Sequence, residues 1–399
     1  MAKFMKQFLT YFQARSSSGQ QKIVIEKCRK DETRGEFSLF YPQSTEDAIS
    51  LVDMVRSFES EHPSYRDTLQ TEISNGRVYL SFNRPFLFRT GLLEIVDPNS
   101  LADDLFVGKK FRLTMESSAG VESLTRHRCD LVAETLTNIL VASGAEETAE
   151  DGISADFHFV VNNKSNRRVP NGICVFVGPV ICQKSSDADD AKFSIDKCKS
   201  TLAEEIALMS EHRLGDNQDL SISEKDILVN ASLKMALLSV NIKNNVTLKL
   251  GANVTTHCKR GIFIMYNYCR MGHIVHKYRK QVDDGYYPKL PDLESVNFAL
   301  LTRPDEWDLL FNHIIQWPDV FKTVTSNLES GTFKIPLIIK FLNSLSTTFS
   351  VYYRCTRVLT EPRPNLMPVM EARIHLILGL MEVFKMALQS LGLQPLATL

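Results

Sequence analysis

The side chains in this sequence best suited to chemistry are aromatic and cationic, and they gather toward one end. Tyr266, Asn267 and Arg270 fall within one helical turn or so, and Tyr352, Tyr353, Arg354 and Arg357 form a second group with Arg363 just beyond. Tyrosine rings can stack on unpaired bases, at roughly 1–3 kcal/mol per base. An amide such as Asn267 can address a base edge, and arginines can meet phosphates or stack on bases. The set therefore points to contact with single-stranded nucleic acid. Adjacent helical residues face different directions, so one of Tyr352 and Tyr353 can equally be core.

Patterns that make or break bonds are missing. The sequence holds no G-x-S-x-G, no G-x-x-x-x-G-K-S/T, no G-x-G-x-x-G and no H-E-x-x-H. Two fragments, Lys234-Met235-Ala236-Leu237-Leu238 and Met271-Gly272-His273-Ile274, faintly resemble the KMSKS and HIGH motifs of class I aminoacyl-tRNA synthetases. Their order is inverted, the second lysine is absent, and the histidine fragment falls inside a helical stretch. Ordinary helix positions account for both better than an ATP site does. The 8 cysteines include no C-x-x-C pair, and His257-Cys258 has no second pair to complete a zinc site. No metal and no cofactor is expected, and the thiols are expected to be reduced in a cytoplasmic protein.

Three kinds of element must position these residues. Phe4, Phe8 and Phe12, with Met5 and Leu9, recur at helical spacing, and Ile23–Ile25 follows as a strand. The acid-poor start, with Lys3, Lys6, Arg15 and Lys22, also has the composition of a mitochondrial transit peptide. A helix packed on the following strand explains it better. Residues 44–58 read as a helix capped by Ser44. Val78, Leu80 and Phe82 alternate as a strand, broken at Pro85 and resumed over Phe86–Phe88. In the middle, Arg128–Ser143 reads as a helix stopped at Gly144, Phe157–Val161 and Ile173–Phe176 as buried strands, and 184–192 as an exposed loop. Ser223 would cap a helix running to Leu238, and Val246, Leu248 and Leu250 alternate. From Gly261 onward the pattern is helical throughout: 262–280, 307–315, 320–328, 335–353 and 367–391. Trp307 and Phe311 sit one turn apart and read as core.

Hydrophobic residues make up 44% and charged residues 23%, as in a soluble globular chain. No run reaches the roughly 18–20 apolar residues that span a bilayer, so no membrane partner is expected. The net charge of −1 looks unfavourable for nucleic acid. It is unevenly spread: residues 255–399 carry 16 Lys/Arg against 12 Asp/Glu, so the helical end is positive and the front acidic. Lys277, Arg279 and Lys280 form a small basic cluster in that end, better read as an exposed helix end than as a phosphate clamp.

The helical end resembles the DALR anticodon-binding domain that closes arginyl-tRNA synthetases. The resemblance rests on the Phe349–Tyr353 segment with Val358-Leu359, on Glu371-Ala-Arg373, and on the tail Ala387–Leu393. It is closer still to the DALR anticodon-binding domain-containing protein 3 group. That group shares the motifs found here as Gly261–Arg270, Gly285-Tyr-Tyr-Pro288, Trp307–Asn312, Phe349–Tyr353 and Glu361–Pro364. The resemblance implies an α+β multidomain protein. Residues 1–110 would be an N-terminal α/β domain, 111–254 a degenerate α/β synthetase core, and 255–399 an all-α DALR bundle. It further implies a non-catalytic adaptor that binds arginine tRNAs. The partner would be a methyltransferase-like enzyme making 3-methylcytidine at anticodon-loop position 32. A working arginyl-tRNA synthetase, and a protein-interaction scaffold that has lost RNA binding, are the alternatives.

Overall fold

The computed structural model describes residues 7–395, apart from 9, 13, 15–22, 28–35, 42–47, 63–68, 98–99, 104, 117–122, 149–154, 165–171, 184–193, 215–220 and 250–251. The Ser44 cap, the loop at 184–192 and Phe4, Met5 and Leu9 lie outside the described residues. The chain forms two compact units. One gathers 1–94, 290–316 and 363–376, and the other 95–289, 317–362 and 377–399.

In the first unit, an antiparallel sheet runs in the order Val24–Lys27, Phe37–Phe40, Arg77–Phe82, Leu69–Ser74. Its alternation is the one read from the sequence, with Val78, Leu80 and Phe82 buried. Asn75 and Gly76 both have positive φ and close the hairpin, as a two-residue turn requires. Helix Ala48–Glu61 buries Leu51, Val52, Val55 and Phe58. Phe8 and Phe12 are helical and buried, and Phe8 meets Phe58 edge-on at 5.2 Å.

Phe86–Phe88 is not a strand. Arg84–Ile95 is a helix. Asn83 accepts from the Phe86 amide through its side chain, and Pro85 falls in the first turn, where its missing N–H removes no intrahelical bond. The proline read as a strand breaker therefore starts a helix. In the same unit Trp307 and Phe311 are buried and stacked at 5.1 Å, as expected.

The second unit holds a parallel sheet ordered Glu146–Glu147, Lys110–Glu116, Phe157–Asn162, Ile173–Phe176. Helix Leu124–Ala142 makes the crossover between two of these strands and ends at Ser143, followed by Gly144 at φ +94°. A second parallel pair joins Val180–Gln183 to Val246–Lys249. Helix Ile222–Leu238 is capped by Ser221, not Ser223. The Ser221 side chain accepts from the Glu224 amide, and the Glu224 carboxylate accepts from the Ser221 amide, which closes a reciprocal capping box. Ser221→Ala is expected to cost about 1 kcal/mol in urea unfolding.

Helix Ala252–Asp283 lies against Ile222–Leu238. Gly261 permits this approach, since a Cβ there would sit 2.9 Å from the Ser232 Cα. Helix Ile335–Cys355 packs on the same long helix. This pair of helices carries most of the aromatic and cationic residues singled out above. Among the described residues no helix is long and apolar enough to cross a membrane.

Candidate nucleic-acid interface

Helix Ala252–Asp283 buries the stripe Ile264, Tyr268, Met271, Val275 and Tyr278. Asn267 lies three residues after Ile264 and four before Met271, so it shares that inner face. It is 0% exposed, and its amide donates to the Phe263 carbonyl at 2.8 Å. Asn267 therefore does not address a base edge in this structure. Tyr266 and Arg270 are four residues apart on the outer face and only partly covered.

Helix Ile335–Cys355 repeats the logic. Ile338, Leu342, Leu345, Phe349 and Tyr352 recur at alternating steps of four and three, and all are buried. Tyr352 is the core member of the tyrosine pair, at 0% exposure, while Tyr353 is 39% exposed. The stripe was visible in the sequence and would have separated the two.

The outward-facing residues meet. The Arg270 guanidinium lies 4.2 Å from the Tyr266 ring centroid and 4.9 Å from that of Tyr353. It also donates to the Tyr266 hydroxyl at 2.8 Å. A cation between two rings is drawn to both ring faces, and each ring loses freedom by contact with it. One exposed ring and one partly covered ring are thereby set in order before any ligand arrives. Arg354 and Arg357 are exposed: Arg354 Nε donates to the Ser350 carbonyl at 3.3 Å, and Arg357 Nε to the Leu359 carbonyl at 3.1 Å. Each guanidinium has further N–H groups beyond Nε. Arg363 is exposed and belongs to the first compact unit. Lys277, Arg279 and Lys280 are exposed near the end of the long helix.

The two synthetase-like fragments lie within helices Ile222–Leu238 and Ala252–Asp283. Lys234 is 5% exposed, pairs with Glu134 at 2.8 Å and donates to the Gly392 carbonyl. Burial lowers its pKa, and the Glu134 carboxylate opposes the shift. Met271 and Ile274 are core positions of the long helix. Among the described residues no cluster of His, Cys, Asp and Glu is placed to hold a metal.

The family model for the DALR anticodon binding domain matches residues 264–399, the stretch that holds this arrangement. Residues 264–399 are a DALR anticodon binding domain. Curated relatives agree. The DALR anticodon-binding domain-containing protein 3 of Rattus norvegicus is 36% identical over 176 residues, and that of Danio rerio 35% over 182. Each match spans 43% of this chain and 33% of the relative's own length. The solved arginyl-tRNA synthetase of Plasmodium falciparum superposes with a TM-score of 0.62 at 11% identity, covering 100% of this chain and 98% of that one. The chain thus has an arginyl-tRNA synthetase-like α+β fold ending in a DALR domain. The Tyr266–Arg270–Tyr353 arrangement lies wholly within the DALR domain.

Proposed function

We propose that this chain is a non-catalytic adaptor of the cytoplasm. Its DALR domain takes the anticodon loop of arginine tRNAs and offers it to a methyltransferase-like enzyme. That enzyme forms 3-methylcytidine at position 32 of the loop. The observation that carries the tRNA half is the Arg270 guanidinium held between Tyr266 and Tyr353 on a partly exposed face. Unpaired bases need preset rings and a nearby cation, and this face supplies both. The positive balance of residues 255–399 supports the same half. The burial of Lys234 against Glu134 supports the lack of catalysis. The methyltransferase half rests on the shared motifs of the DALR anticodon-binding domain-containing protein 3 group.

Arg357 is assigned to a phosphate. Arg357→Ala is expected to weaken binding to all bound tRNAs alike and to reduce the salt slope of log K by about 1. Titrations at several ionic strengths read this directly.

The adaptor role is tested by tagging the full chain in cells, identifying the proteins and tRNAs that co-purify, and sequencing 3-methylcytidine after its depletion. The proposal expects a methyltransferase and arginine tRNAs in the eluate, with the modification lost from those tRNAs. Unchanged 3-methylcytidine in arginine tRNAs overturns the adaptor role. Arginine-dependent ATP–pyrophosphate exchange by the pure chain overturns the absence of catalysis.

A further inference from the structure

The motif Gly285-Tyr286-Tyr287-Pro288 has so far served only as a mark of resemblance. In the structure it forms a mounting. Gly285 takes φ +74°, a conformation that favours glycine, and turns the chain at the end of the long helix. The Tyr286 and Tyr287 amides both donate to the Gln281 carbonyl, at 2.8 and 3.1 Å. The Tyr287 ring is buried and stacks on Tyr278 at 5.6 Å with 23° between planes. Its hydroxyl donates to the Thr360 carbonyl, tying this turn to the segment that follows helix Ile335–Cys355. The Tyr278 hydroxyl donates to the Pro288 carbonyl at 2.9 Å, so the turn is held from both sides.

Tyr286 stands on this base. Its ring meets Tyr287 edge-on, with centroids 4.9 Å apart and planes at 62°, yet the residue remains 48% exposed. A tyrosine that is half open but held by a bonded backbone and a neighbouring ring has already lost much of its freedom. Stacking a ligand on it then costs little additional ordering. The segment bound through Thr360 carries a cation, Arg357, whose charge opposes the rise that burial and Tyr286 give the Tyr287 pKa. Arg357 is exposed and lies on the segment that Tyr287 anchors.

We infer that Tyr286 is a second base-stacking platform, which takes one unpaired RNA base on its open face while Arg357 meets a flanking phosphate. Tyr287 is a positioning residue that holds platform and cation together. The inference rests on the RNA-binding reading above and extends it to a position separate from the Arg270 arrangement. An open ring on a turn that Tyr287 ties to the Arg357-bearing segment suits a nucleotide, which presents a flat base and an anion a few bonds apart.

The test uses the full chain and an arginine tRNA anticodon stem-loop carrying 2-aminopurine at single loop positions. Wild-type protein is expected to quench or shift the fluorescence of at least one position through stacking on Tyr286. Tyr286→Ala is expected to abolish that change and weaken binding about tenfold, within the range known for base–aromatic stacking. Tyr286→Trp should restore both. The thermal midpoint of each variant reports folding, and Tyr286 is exposed enough for alanine to be accommodated. Tyr286→Ala with wild-type affinity and an unchanged fluorescence response, alongside a weakened Arg270→Ala, overturns the second platform and leaves the first site standing. Wild-type affinity in both variants, or no binding by the unaltered chain, overturns both.

Discussion

Replacing Arg128 by methionine is expected to remove roughly 3–5 kcal/mol of stability through the buried carbonyls it leaves unmet, a large part of what a domain ordinarily has. Arg128 is 0% exposed in helix Leu124–Ala142. Its Nη1 donates to the Gly178 and Asn244 carbonyls at 2.6 and 2.7 Å, its Nε to Leu237 at 3.0 Å, and its Nη2 to Asn241 at 3.2 Å. Leu237 lies in the last turn of helix Ile222–Leu238, where carbonyls lack intrahelical partners and the dipole favours a cation. The other acceptors lead into the paired strands Val180–Gln183 and Val246–Lys249. One guanidinium thus ties a helix end to both strands. Burial lowers its pKa to about 10, which still leaves it charged at neutral pH. Methionine fills similar space but leaves four carbonyls without this donor, at about 1–3 kcal/mol for each that stays buried and unmet. Lysine keeps the charge but not the fork, so Arg128→Lys should fall between the two. Urea midpoints of the three proteins check the order. A methionine variant within about 1 kcal/mol of wild type would contradict the role, since that is the scale of an ordinary substitution.

The second large effect concerns binding. Arg270→Ala is expected to weaken arginine tRNA binding by roughly 30–100-fold, about 2–3 kcal/mol. The loss has two sources. The guanidinium itself is removed from the face, and Tyr266 and Tyr353 lose the contact that orders both rings. Arg270→Lys retains a point charge without the planar surface. It should keep the salt dependence of binding and recover little of the affinity. Stability should change by about 1 kcal/mol or less, as for a cation–ring contact open to solvent. Comparing affinity with thermal midpoint therefore separates a binding residue from a structural one.

What the sequence revealed depended on where the determining interaction lies. Strands and helices whose pattern is local were legible, as in Val78–Phe82 and the helix that stops at Gly144. Pro85 was misread because proline breaks a strand and opens a helix with equal ease, and the deciding bond comes from the Asn83 side chain. Ser221 precedes the helix and Ser223 falls in its first turn, and the placement of Glu224 three residues after Ser221 selects the cap. Of the residues singled out by type and spacing, Tyr353 is 39% exposed and Tyr266 and Arg270 are partly covered. Asn267 was misplaced, and the choice between Tyr352 and Tyr353 stayed open, because residue type was weighed above helix phase. Arg128 could not be found by pattern: its partners are backbone carbonyls 50 to 116 residues away, and a carbonyl leaves no mark in the sequence. Tyr286 needed the fold, since only the anchoring of Tyr287 to Thr360 distinguishes it from any exposed tyrosine.

The central claim is that this DALR domain binds arginine tRNA through the Arg270 face. The most direct measurement is the dissociation constant of the full chain for an arginine tRNA and for an unrelated tRNA at one stated ionic strength, repeated with Arg270→Ala. The account predicts preference for the arginine tRNA and loss of most of that affinity in the variant. Equal binding of both tRNAs, unchanged by the substitution, would contradict it.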